Sequence, residues 1–163
     1  MSELLRSSPA LLVSTDMRMP LEPRTPVALQ TCLVVSASPH RAQLWVRAAH
    51  DEHWTTIVCT TADDANRQSV RHRIDLALID LQSAVAECES RFKGLVQQLA
   101  ARGGPLLAVC GKPDDLTGEV WSRQLGIWMY LPGVDSQSDI GMLCGEARKI
   151  LQKLSDRAAC VHT

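Results

Sequence analysis

The sequence predicts an α/β fold, a doubly wound sheet of five parallel strands, and three observations carry that reading. The first is Ile74-Asp75-Leu76-Ala77-Leu78-Ile79-Asp80-Leu81, an almost unbroken apolar run flanked by polar residues. A run this short and this rich in Ile and Leu is the pattern of a central strand buried on both faces. The second is alternation: similar short runs are separated by segments with helical spacing of apolar residues, which implies βα units and a parallel sheet. The third is punctuation, because Ser38-Pro39 reads as a helix start and Gly103-Gly104 and Gly126 read as helix stops.

Taken in order, residues 1–30 hold four of the eight prolines (Pro9, Pro20, Pro23, Pro26) and no sustained helical period, so they are expected to form an extended or flexible arm. Within the arm, Leu11-Leu12-Val13 is a candidate short strand. The regular domain opens at Thr31-Cys32-Leu33-Val34-Val35. The first helix follows Ser38-Pro39 and places Ala42, Trp45, Val46 and Ala49 on one face. Thr55 to Thr60 is the second strand, and Asp63 to His72 a polar helix of poor amphipathicity. After the organising third strand, Ala84 to Ala101 turns Cys88, Phe92, Leu95, Val96 and Leu99 inward. Pro105 to Cys110 is the fourth strand, Leu116 to Leu125 the fourth helix with Asp114-Asp115 as its cap, and Ile127 to Leu131 the fifth strand. The last helix carries a continuous stripe from Ile140 to Leu154, leaving 155–163 as a C-terminal tail.

Composition narrows the function classes. With 17 Lys+Arg against 18 Asp+Glu the net charge is −1, so no global field draws the chain to nucleic acid or an anionic membrane. Apolar runs fall short of the roughly 18 residues a span needs, and the N-terminus lacks a signal-peptide pattern. A cytoplasmic protein is the expectation. The six cysteines form no C-x-x-C pair, and five fall on strands or apolar helix faces, as small buried hydrophobes do. Cys160, in the tail, is the expected reactive thiol. His50 and His53 read as a solvated helix end, so no metal and no cofactor are expected.

Leu33-Val34-Val35, the third strand ending on Asp80, and Gly126-Ile127-Trp128-Met129-Tyr130-Leu131-Pro132 together resemble the response-regulator receiver domain, over residues 31–154. The resemblance implies a flavodoxin-like (βα)5 fold and a place in two-component signal transduction. In that family an acidic pair after the first strand and an Asp after the third hold a divalent metal. A hydroxyl after the fourth strand and a lysine after the fifth then hold the transferred phosphoryl group. Here the pair is Ser36 and Ala37, the hydroxyl position falls on Cys110 (or Gly111, if the register slips by one), and the lysine position on Gly133. Only Asp80 keeps its family identity, as a phosphoacceptor or as a strand-end carboxylate with local hydrogen bonds.

The resulting expectation is a degenerate pseudo-receiver, not an enzyme, that works as a protein-interaction or dimerisation module without phosphotransfer. It would bind a protein partner, with a homodimer as one form, and neither nucleic acid nor membrane directly. In receivers the face made by the fourth helix, fifth strand and fifth helix meets partners, which makes Trp121 and Tyr130 the candidate anchors if exposed. Two rivals stand beside it: a flavodoxin-like binder of phosphate or nucleotide using the Ser36 to Arg41 loop, and an atypical phosphoacceptor at Asp80. Asp16-Met17-Arg18-Met19-Pro20 resembles a phosphoacceptor segment but precedes the first strand, and is read as coincidence or remnant.

Overall fold

The computed structural model describes residues 29–161, so the arm's candidate strand and its Asp16 to Pro20 segment lie outside the described residues. Strands β1 (Thr31–Val35), β2 (Thr55–Cys59), β3 (Leu76–Asp80), β4 (Leu106–Gly111) and β5 (Met129–Pro132) alternate with helices α1 (Pro39–Asp51), α2 (Ala62–Arg71), α3 (Ala86–Arg102), α4 (Leu116–Gln124) and α5 (Gln137–Val161). All pairings are parallel and the strand order is β2-β1-β3-β4-β5. The doubly wound α/β sheet expected from the sequence is therefore present.

Alternating side chains divide the strands between two cores. Leu33, Val35, Ala77, Ile79 and Val109 face α2, α3 and the inner side of α4, where Phe92, Leu95, Val96 and Leu99 cover them. Cys32, Val34, Leu76, Leu78 and Ala108 face α1 and α5, under Trp45, Ile140, Leu143 and Ala147. Because β3 is central, all five of its residues are buried, Asp80 included.

Helix ends follow the expected chemistry. Ser38 caps α1 by accepting from the Arg41 amide, and Pro39 takes the first position. Asp115 caps α4 by accepting from the Gly118 amide, and Gly103 ends α3 in a left-handed conformation at φ +72°. Several bounds differ from the sequence reading. The second helix begins at Ala62 with Thr61 as its cap, the third begins at Ala86, and β5 starts at Met129. Cys88 is half-buried rather than fully inward. The largest difference is α5, which runs to Val161 through residues assigned to the tail. Its last turns are solvent-covered on all sides, so no apolar stripe was needed to form them.

Candidate functional site

The order of strands reverses between β1 and β3, and in open α/β sheets the crevice at that reversal, outside the carboxyl ends, is where ligands bind. Ser36 follows β1 and Asp80 ends β3, so the topology brings both to that crevice. The Ser36 hydroxyl donates to Asp80 Oδ2 at 2.7 Å. Oδ2 also accepts from Ser83 Oγ at 2.5 Å and from Arg41 Nε at 2.9 Å. The other oxygen, Oδ1, accepts from the amides of Gln82 at 3.0 Å and Ser83 at 3.3 Å, and from Arg41 Nη2 at 3.4 Å. A carboxylate offers about four lone-pair sites. Asp80 is saturated from within the chain.

Arg41 takes a role that neither helix capping nor the rival phosphate-loop reading gave it: it turns its guanidinium into the crevice and pairs with Asp80. It also donates to Gln82 Oε1 at 3.2 Å and the Val134 carbonyl at 3.1 Å, and pairs with Asp135. Its plane lies over the Trp45 ring, 5.4 Å from the centroid, a cation–π contact. Burial by itself would lower the Arg41 pKa; hydrogen bonds and charge from Asp80 and Asp135 more than offset that and raise it. The β5–α5 loop is thus tied to β3 through one side chain.

The other expected site positions surround this pair. Ala37 packs against the core below α2 and α3. Cys110 lies opposite Asp80 in the β3–β4 register, and burial, then the Asp80 charge, pushes its thiol well up. An S–H is a weaker hydrogen-bond donor than a hydroxyl. Gly133 sits at φ +66°, with Pro113 Cγ 3.0 Å from where a Cβ would stand, so a lysine side chain is disfavoured there on two counts.

A divalent metal does not fit this arrangement. Such a hard cation needs several oxygen ligands at once, but the one buried carboxylate already faces a guanidinium, and Asp135 is engaged by the same group. Among the described residues no cluster of three His, Cys, Asp or Glu could hold a metal. The Ser36 to Arg41 loop is likewise spent: the Ser36 hydroxyl serves Asp80 and accepts from the Ser38 amide, and Ser38 caps the helix.

Trp121 and Tyr130 are half-buried and pack against the core under α3. Tyr130 points between β4 and α4, where Gly111 and Gly118 leave space: a Cβ on either would overlap its hydroxyl. That hydroxyl donates weakly to Asp115 Oδ2 at 3.5 Å, and burial, then Asp115, pushes the phenol up to about 12. Trp121 lies under Lys93, 5.5 Å from the ring centroid. On the same side of the molecule, Leu116 and Val120 of α4 are the exposed apolar side chains, one helical turn apart.

No family model and no curated protein matches the sequence. Solved structures do match. The chain resembles a CheY-like receiver domain protein from Methanospirillum hungatei JF-1, with 17% identity and a TM-score of 0.62 over 81% of this chain and 98% of that one. The signal receiver domain of a LuxO repressor protein from Vibrio parahaemolyticus aligns with 18% identity and a TM-score of 0.65, covering 80% and 97%. The receiver domain of an HD domain-containing protein from Pseudomonas fluorescens Pf-5 reaches 0.66 at 13% identity, covering 79% and 93%. The chain has the response-regulator receiver fold, and that fold occurs in proteins of signal transduction. Among the described residues no helix is long and apolar enough to cross a membrane.

Proposed function

We propose that this domain is a pseudo-receiver: a signalling module that binds a protein partner, or a second copy of itself, without accepting a phosphoryl group. The observation that carries this reading is the Asp80 carboxylate, fully buried and occupied on both oxygens, with Arg41 as its permanent counter-charge. Phosphoryl transfer needs a free carboxylate oxygen in line with the donor and cations around the transferred group. Here the cation is part of the chain, and it neutralises the acceptor instead of the phosphoryl group.

A receiver fold without its chemistry retains its surfaces. Leu116 and Val120 give the α4 face an apolar pair suited to a partner. Incubation of the purified chain with acetyl phosphate and Mg²⁺, followed by intact-mass measurement, should give no phosphoryl adduct. An adduct that disappears in Asp80→Asn would overturn the reading. Sedimentation of wild type against Leu116→Glu/Val120→Glu tests self-association through α4; an identical monomeric mass for both would rule out that surface as a dimer contact.

A further inference from the structure

The amino-terminal edge of the sheet, opposite Asp80, carries a groove that the receiver resemblance does not use. Helix α5 loses its last buried residue at Ala147 and continues to Val161. Between this overhang and the strand starts lies a groove of about 610 Å³, with Leu151, Leu154 and Ala158 on one wall and Gln30, His72 and Arg73 on the other. The helical wall is apolar at spacings of three and four, the spacing at which a helix presents a seam. Leu154 is half exposed.

Two features of the opposite wall point to an occupant. The Gln30 side-chain oxygen is buried and has no hydrogen-bond partner, alone in this among the described residues. Buried acceptors are almost always satisfied, so one left open at a groove is a place for an incoming N–H. The wall is also cationic. Arg73 is 91% exposed and shares Asp75 at only 3.4 Å. Asp75 commits its other oxygen to the Thr31 amide. An adjoining cleft of about 210 Å³ is lined by the same His72 and Arg73 together with Arg102. His72 and Arg73 thus share the groove with one carboxylate, Asp75, and Arg102 stands in the adjoining cleft, where one of its nitrogens donates to Asn66 Oδ1 and Ser69 Oγ.

We propose that this groove docks a segment of a partner protein that carries carboxylates beside apolar side chains. The apolar residues of the segment lie on Leu151, Leu154 and Ala158, its carboxylates on Arg73 and Arg102, and one backbone N–H on the Gln30 oxygen. The inference rests on the interaction-module reading, and supplies the chemistry of a partner. The surface is separate from Leu116 and Val120 of α4.

The test is selection of a random peptide library on the immobilised full chain, followed by affinity measurement of the enriched peptides. The expected result is a consensus with acidic and apolar residues. Binding should weaken by about tenfold or more in Arg73→Glu and in Leu154→Asp, and fall with rising salt. Both variants alter exposed side chains, and an unchanged melting temperature verifies their fold. No enrichment, a consensus without acids, or equal binding to both variants would overturn the proposal. Leu116→Glu/Val120→Glu separates the two readings. Peptides lost only in that variant would sustain the interaction module and reject this groove, while a phosphoryl adduct at Asp80 would reject the pseudo-receiver and leave the groove standing.

Discussion

At the carboxyl edge of the sheet the buried Asp80 carboxylate is enclosed by donors, whereas at the amino edge the Gln30 side-chain oxygen is buried with none. The first edge is where a receiver does its chemistry, and here it is closed by the chain's own side chains. The second is concave, cationic and underlaid by an overhanging helix. A buried charge left uncompensated is far more costly than a single buried acceptor that water or a ligand can reach. The carboxyl edge therefore has to be sealed around its buried charge, while the amino edge can remain open.

The contrast breaks most sharply at Arg41. Arg41→Ala leaves Asp80 buried beside two hydroxyls and two amides but without a counter-charge. It should destabilise the fold by about 3 kcal/mol, the lower end for a broken buried ion pair, because the Arg41 side chain keeps 15% exposure. Urea unfolding measures this. Asp80→Asn added to Arg41→Ala should recover part of the loss, since the neutral amide no longer needs the guanidinium; a double variant as unstable as the sum would show that Arg41 acts through packing on Trp45 instead.

A smaller effect is expected beside the sealed edge. Gly111→Ala forces its Cβ onto the Tyr130 hydroxyl and should cost about 1–3 kcal/mol by overpacking. Tyr130→Phe removes only the nearest atom, since the ring carbons Cζ and Cε2 would still stand 2.5 and 2.9 Å from the added Cβ, so it should recover part of that loss at most; by itself it should cost only about 0.5 kcal/mol, given the long bond to Asp115. Unfolding of Gly111→Ala with and without Tyr130→Phe separates the two contributions.

Alkaline pH sharpens the picture of the interior. Burial, then the charge of Glu52, raises the Cys144 thiol from 9.0 to about 12; the Tyr130 phenol moves from 10.0 to about 12. A group with a raised folded pKa binds its proton more tightly in the folded state. Its stabilisation is complete below the unfolded value and is lost as pH rises toward the folded one. The melting temperature should therefore hold steady up to about pH 9 and decline between there and pH 12. Arg41 lies higher still and contributes no titration near neutrality. At the open edge, Leu154→Asp should change stability by no more than about 0.5 kcal/mol, because that side chain covers no core.

The fold was legible because two-sided burial leaves its mark on β1, β3 and β4, and because Ser38-Pro39, Asp115 and Gly103 act locally. That Ser36 and Cys110 stand beside Asp80 was equally legible, since each lies at the end of a strand. The pair that closes the site was not. Arg41 and Asp80 lie 39 positions apart, and a guanidinium at a helix start is as suited to an external anion as to an internal carboxylate. Ser83 and Gln82 needed the turn after β3 to bring them back over Asp80. Tyr130 is a candidate anchor on condition of exposure; Gly111 and Gly118 are the signal that its hydroxyl turns toward α4, visible only once β4, α4 and β5 are neighbours. The last turns of α5 carry too little apolar periodicity to be read at all.

The most direct measurement is tryptophan fluorescence during titration with Mg²⁺ and then beryllofluoride, a mimic of a bound phosphoryl group. Trp45, stacked on Arg41, reports any displacement of the guanidinium from Asp80. The closed-site account predicts no saturable change at millimolar metal, in the wild type and in Asp80→Asn alike. A saturable change in the wild type that vanishes in Asp80→Asn would show that Arg41 yields to metal and phosphoryl group, and would contradict the account.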